Sequence, residues 1–222
     1  MEDKSKHVYY TADGKEVPSV THIISIISKR ELMKWANFLG FKRIDVTRYV
    51  SEKALIGTLF HNRVECVLQG RENDYKPYID QSVNDEVDKI FHNFEIWRKE
   101  SMPEVIWQEK EFVNNQYGGK IDLLCSIRGH MTLVDFKTSK KPMASHFLQL
   151  GGYLNLIEQI DKGIYNKIEL CQIIAINAKG IKIKTLTKEE MEPYKVAFLK
   201  AFELYTIWKS LLEVDWNERF QS

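Results

Sequence analysis

Two aspartates and a lysine carry the first chemical signal in this sequence. Asp122, Asp135 and Lys137 stand in the stretch GGKIDLLCSIRGHMTLVDFK, residues 118–137. Runs rich in Leu, Ile, Val and Met at 120–127 and 131–138 flank Arg128-Gly129-His130, where glycine permits the positive φ of a tight hairpin turn. A loop symmetric about that turn sets Ile127 opposite His130 and, in the same register, Asp122 across from Asp135. Opposed strand residues have Cβ atoms about 5 Å apart, so the two carboxylates repel unless positive charge lies between them. A divalent cation is the economical answer. Strand alternation then points Asp135 and Lys137 to one face and Phe136 to the other, buried one. An Asp-x-Lys pair is also common on solvated strand edges, so its meaning depends on the elements around it.

Several of those elements bring further candidates. A helix read at 51–70, with Ser51 as cap and Gly70 as stop, carries His61 and Glu65 four residues apart on one face. Gly57, one turn earlier, leaves room for a close approach. His-Glu pairs on helices are more often structural, and no H-E-x-x-H zinc motif is present. Beyond Pro142 a second helix places Gln149 and Tyr153 on a shared face. Between them, Gly151 and Gly152 each cost about 1 kcal/mol relative to Ala, which points to a tight approach, either by packing or by a ligand. The alternating strand at 104–113 offers Glu109 and Glu111 as support for a metal or as ordinary surface glutamates. Lys140 and Lys141, in the turn before the second helix, could meet phosphate.

The remaining pattern is scaffolding. Residues 7–17 read as a small hairpin around Asp13-Gly14, 18–27 as a helix opened by Pro18-Ser19, and 31–50 as a helical stretch broken near Gly40. Lys29, Arg30, Lys34, Lys42, Arg43 and Arg48 make that region the most basic, as a solvated face or as one wall of a nucleic-acid groove. Val83, Val87, Ile90, Phe91, Phe94 and Trp97 give the helix at 81–100 a core face. Strands at 168–177 and 181–186 follow, and Thr187 caps a last helix whose stripe is Tyr194, Phe198, Ala201, Tyr205 and Trp208. No linker or repeat interrupts the order, so 1–222 reads as one α/β domain, with 1–17 as an N-terminal hairpin or extension and a central mixed sheet flanked by helices.

Composition bounds the partners. With 222 residues, 44% of them hydrophobic, the chain can bury a full core, and a net charge of +1 provides no global field for nucleic acid. Any such surface must be local. Cys66, Cys125 and Cys171 lie far apart in apolar runs, as buried thiols of a reducing compartment do, and cannot form a four-cysteine cluster. Without an apolar leader or a run of about 18 apolar residues, the expectation is a cytoplasmic protein with no membrane partner.

Taken in order, G-x-x-x-H (Gly57 to His61), G-x-x-D (Gly119 to Asp122), D-x-K (Asp135 to Lys137) and Q-x-x-x-Y (Gln149 to Tyr153) resemble the RecB-like branch of the PD-(D/E)xK nuclease superfamily. Pro18-Ser19-Val20-Thr21 and GTLFHNRVE are similar to the opening segments of the phage exonuclease and mitochondrial genome maintenance exonuclease group. The resemblance spans roughly residues 17–208. It implies a restriction-endonuclease-like core and hydrolysis of DNA phosphodiester bonds by in-line attack of water with Mg²⁺ or Mn²⁺. His61, Asp122, Asp135 and the backbone carbonyl of Phe136 would hold the cation, a mostly hard-ligand set less suited to zinc. Lys137 would activate or position the water and stabilise charge on the phosphate. Gln149 would orient Lys137 or touch the DNA backbone, Tyr153 would line the strand's path beside Lys140 and Lys141, and Glu65 would have a supporting place. The cysteines exclude the iron-sulfur cluster of some relatives, and the absence of G-x-x-x-x-G-K-[ST] excludes a motor. The implied activity is an exonuclease on single strands or free ends, alone or in a recombination or replication assembly. A structure-specific endonuclease and a non-catalytic DNA-end-binding module are the alternatives.

Overall fold

The computed structural model describes residues 8–27 and 30–212, with side chains from Met33 onward in the second segment. Lys29 and the side chain of Arg30, counted above in the basic region, lie outside the described residues, as do the first seven and last ten residues of the chain. Five strands form the central sheet in the order in which they occur: β3 (Glu104–Val113), β4 (Gly118–Ile127), β5 (His130–Lys137), β6 (Leu170–Asn177) and β7 (Gly180–Thr187). All neighbours are antiparallel except β5 and β6, which run parallel. That parallel step needs a crossover, supplied by α5 (Ala144–Ile160) and the short α6 (Lys162–Lys167). A two-stranded ribbon of β1 (Tyr9–Tyr10) and β2 (Glu16–Val17) precedes α1 (Val20–Ile24), α2 (Arg30–Phe41), α3 (Val46–Leu68) and α4 (Gln81–Ser101), and α7 (Glu192–Leu212) closes the fold. The α/β architecture, a mixed sheet between helices, is the one expected.

Strand alternation divides the core in two. Leu124, Leu133, Cys171 and Ile173 pack with α1, α5 and α7 on one face of the sheet. Leu123, Val134, Phe136, Ile174 and Ile176 meet α3 and α4 on the other, including every predicted core residue of α4. Gly151 and Gly152 belong to the first layer: a Cβ at Gly151 would stand 2.6 Å from the Tyr194 carbonyl oxygen, and one at Gly152 2.7 Å from Val20 Cγ1. Their cost is therefore spent on helix packing rather than on a ligand.

Three helix boundaries differ from expectation. Ser19 caps α1 by accepting from the His22 N–H, but that helix stops at Ile24. Helix α3 is capped by Asp45, which accepts from the Arg48 N–H, and Ser51 lies inside it. Thr187 closes a reciprocal cap with Glu190, yet the turn so formed precedes α7, which starts at Glu192. No helix among the described residues is long and apolar enough to cross a membrane.

Candidate active site

The β4–β5 hairpin closes as its residues demand. Arg128 and Gly129 both take positive φ, 52° and 85°, in a two-residue turn that pairs Ile127 with His130. Pairing continues to Leu123–Val134 and stops there. At the next position Asp122 and Asp135 occupy a parting between the strands. The Asp122 carboxylate bridges it, Oδ2 accepting the Phe136 N–H at 2.7 Å. Past this point β5 continues on β6, with Lys137 beside Ala175.

Helix α3 brings His61 to the parting. Its Nδ1 lies 3.7 Å from Asp122 Oδ1 and 3.8 Å from Glu109 Oε1, too far for hydrogen bonds. One ligand atom from each of His61, Glu109 and Asp122 falls within 4.8 Å of the others. Donors about 2.1 Å from a shared octahedral cation lie about 3 Å apart when adjacent and about 4 Å when opposite, so the three stand wider than around a bound small divalent ion and would draw together to hold one. Glu109 sits within β3 at φ 46°, a conformation that costs a residue other than glycine about 1–3 kcal/mol and tends to persist at functional sites. Lys120 Nζ holds its second oxygen at 2.5 Å. Glu109 was only one of two candidate glutamates in the sequence; setting the alternating strand at 104–113 in register with β4 would have singled it out.

Asp135 lies beside this group, fully buried on the α5 face. Lys137 Nζ is 2.9 Å from both its oxygens, with the better-directed hydrogen bond at Oδ1. Buried beside a single ammonium, the carboxylate keeps lone pairs that suit a cation. Burial pushes Asp135 up to about 6, with the Asp122 charge adding to the rise and Lys137 opposing it. Burial likewise works against the Lys137 ammonium, but Asp135 and Asp122 outweigh it and hold the group charged above its ordinary range. At His61 burial is outweighed by Asp122 and Glu109, so the imidazole is raised. Burial opposes the Glu109 charge, yet His61 and Lys120 keep its carboxyl below the usual range.

The other candidates are placed differently. Gln149 donates to the Tyr153 hydroxyl at 2.6 Å, and both side chains are buried. Of the two roles expected of Gln149, a bond to Lys137 is not formed here; the Tyr153 ring packs against Gly119, where a Cβ would stand 2.6 Å from Cε1, and the Asp135 and Asp122 charges add to burial in raising its phenol. Glu65 turns away from the cluster: its Oε1 is 3.6 Å from Arg71 and accepts from Gln69. Lys140 and Lys141 are exposed in the turn after β5. Tyr9 of the N-terminal ribbon, not among the candidates, lies against Gly118. Its phenol is pushed up to about 12 by burial and by Glu111 and Glu109, which places the ribbon beside the site.

No protein-family model matches the chain, and no curated protein does. Solved structures show a distant likeness. An exonuclease candidate from Eubacterium rectale is 11% identical with a TM-score of 0.45, the match covering 67% of this chain and 64% of that one. The alkaline exonuclease of Laribacter hongkongensis is 13% identical with a TM-score of 0.32 over 89% of this chain and 95% of its own. Its complex with dAMP gives 14%, 0.28, 69% and 86%. The chain thus spans less than two thirds of the first of these proteins. At such identities and scores the likeness says nothing of the reaction, which must be read from the site.

Proposed function

We propose that the protein is a divalent-metal-dependent deoxyribonuclease, an exonuclease acting on single-stranded DNA or on free ends. The observation that carries this reading is the placing of a three-donor cluster, His61, Glu109 and Asp122, beside a buried Asp135 that is paired with the charged Lys137. A pure DNA binder gains nothing from buried carboxylates that repel phosphate. His61, Glu109, Asp122 and Asp135 would hold Mg²⁺ or Mn²⁺, with the Phe136 carbonyl completing the protein's share. When bound, the ion supplies polarisation of the phosphate and of the attacking water.

The side chains divide the remaining work. Phe136 N–H and Asp122 fix the parting between strands, so the carboxylates are positioned before substrate arrives. Lys137 would activate or position the attacking water and donate to a non-bridging phosphate oxygen as negative charge builds. The Gln149–Tyr153 pair stiffens α5 behind Asp135. Preference for single strands or ends follows the phage exonuclease resemblance of the sequence motifs, as do a cytoplasmic setting and participation in a larger recombination or replication assembly.

The test is cleavage of end-labelled linear single-stranded, linear duplex and circular single-stranded DNA with Mg²⁺, Mn²⁺ or EDTA. Metal-dependent loss of linear strands alone is the expected result. Cutting of the circle would establish an endonuclease instead, and binding without cleavage of any substrate would leave a binding module.

A further inference from the structure

Helix α3 carries a row at i, i+4 intervals that leads away from the candidate centre: His61, Gly57, Lys53, Tyr49. At Gly57 the row is crossed by Thr138, whose Oγ1 would be 3.3 Å from a Cβ there, directly after Lys137. Beyond that crossing lies a cleft of about 640 Å³, walled by Tyr49 and Lys53 of α3, by Lys140 in the turn after β5, and by Lys179 and Lys182 of the β6–β7 hairpin. The topology explains the convergence. Because β6 is parallel to β5 and Ala175 pairs with Lys137, the β6–β7 turn emerges at the same end of the sheet as the D-x-K motif, about 10–13 Å further on at roughly 3.3 Å per residue.

The walls are fastened together. Asn177 Nδ2 donates to the Ser139 carbonyl at 3.0 Å, and Asn93 Nδ2 donates to the Asn177 carbonyl at 2.8 Å, so both turns are tied to each other and to α4. The one acid in the lining, Glu86, is engaged by Lys53 at 2.9 Å. Lys140, Lys179 and Lys182 pair with no carboxylate among the described residues. An edge strand such as β7 uses lysine to discourage sheet pairing, but that does not account for Lys140 or for an aromatic on α3 facing the same cleft. Lys182 also borders a second depression, with Lys184, Tyr194, Phe147 and Met143 around it, so the cationic surface continues along β7. Unpaired ammonium groups over an aromatic and aliphatic floor match the alternation of phosphate and base in a single strand.

We infer that this cleft is a second station for the DNA strand, holding phosphates removed by one or more nucleotides from the one that reacts. The inference rests on the nuclease reading and deepens it. Lys140 acts there with Lys179 and Lys182, and Lys137 alone faces the reacting phosphate.

The experiment measures binding of a labelled oligothymidylate in EDTA, where nothing is cleaved, across a salt series. The double variant Lys179→Gln/Lys182→Gln is compared with the parent and with Lys200→Gln/Lys209→Gln on α7, a neutralisation of equal charge away from the cleft. The cleft variant is expected to bind roughly tenfold more weakly and to lose about 1.4 from the log–log salt slope, about 0.7 for each single-strand phosphate contact removed. The α7 variant is expected to match the parent. Parent-like affinity and slope in the cleft variant, or an equal loss in the α7 variant, would overturn the cleft assignment while metal-dependent cleavage by the parent left the nuclease reading standing. A parent that neither binds nor cleaves DNA would overturn both.

Discussion

Lys137 and Lys195 are both held by carboxylates inside the fold, and they do opposite things. Lys195 on α7 is 93% removed from solvent by its side chain's 7% exposure, and its Nζ meets Glu158 at 2.9 Å, Glu192 at 3.2 Å and the Tyr165 hydroxyl at 2.7 Å. Every partner is in place and the acids keep one side in water. The cluster bolts α5, α6 and α7 together. Among the described residues Lys137 pairs with Asp135 alone, and that carboxylate has no other donor. A fully paired network contributes stability, whereas a buried pair with spare acceptor capacity can take a further partner. On the proposed reading, the Lys137 cluster is the one built for chemistry.

The comparison can be sharpened from the site outward. Asp122→Asn should lower metal-dependent cleavage by about 10²-fold or more, since it alters both the cation's ligands and the Phe136 tie; calorimetric titration with Mn²⁺ should show a parallel loss of affinity. Near-parent cleavage by this variant would remove Asp122 from the centre. Lys195→Ala should instead cost about 2 kcal/mol of stability in urea unfolding, from charge-assisted bonds and the packed stem. Burial opposes the Lys195 charge, but Tyr165, Glu158 and Glu192 outweigh it and raise the group above its ordinary 10.5. A cation raised on folding stabilises fully below its unfolded value and loses that contribution only as pH passes the raised one. The deficit of Lys195→Ala should therefore be the same at pH 7 and pH 10; a deficit that vanished by pH 10 would contradict the network.

Smaller effects follow from the glycines and thiols. Gly151→Ala forces a Cβ onto the backbone of α7 and should cost about 1–3 kcal/mol. Gly57→Ala meets only the Thr138 hydroxyl at 3.3 Å, so gained helix propensity should keep the change within about 0.5 kcal/mol in thermal unfolding. Burial pushes the Cys125 and Cys171 thiols up to about 12, and mass spectrometry after alkylation of the folded protein at pH 8 should find both unmodified.

Much of this arrangement was legible in the sequence because it rests on alternation and turn chemistry. Arg128-Gly129 set the hairpin register that brings Asp122 to Asp135 and Lys137, the apolar period of α4 named its buried face, and the family resemblance carried by the motifs added His61 to the group. What escaped depends on tertiary context. Nothing about a glutamate in an alternating strand announces a positive φ, so Glu109 is separated from Glu111 only when β3 is set in register with β4, which puts Glu109 level with Asp122. The run VTRYV reads as the end of the preceding helical stretch, which shifted the start of α3 and its cap from Asp45 to Ser51. Gly151 and Gly152 signalled a close approach correctly, but only the path of α7 tells that a helix, not a ligand, makes it.

The most direct test of the contrast between the two lysines is the rate of Mg²⁺-dependent degradation of linear single-stranded DNA by Lys137→Ala and Lys195→Ala, each normalised to its folded fraction. A loss of about 10²–10³-fold is expected for Lys137→Ala and the parent rate for Lys195→Ala. Parent-like activity in Lys137→Ala, or an equal loss in both, would contradict that contrast.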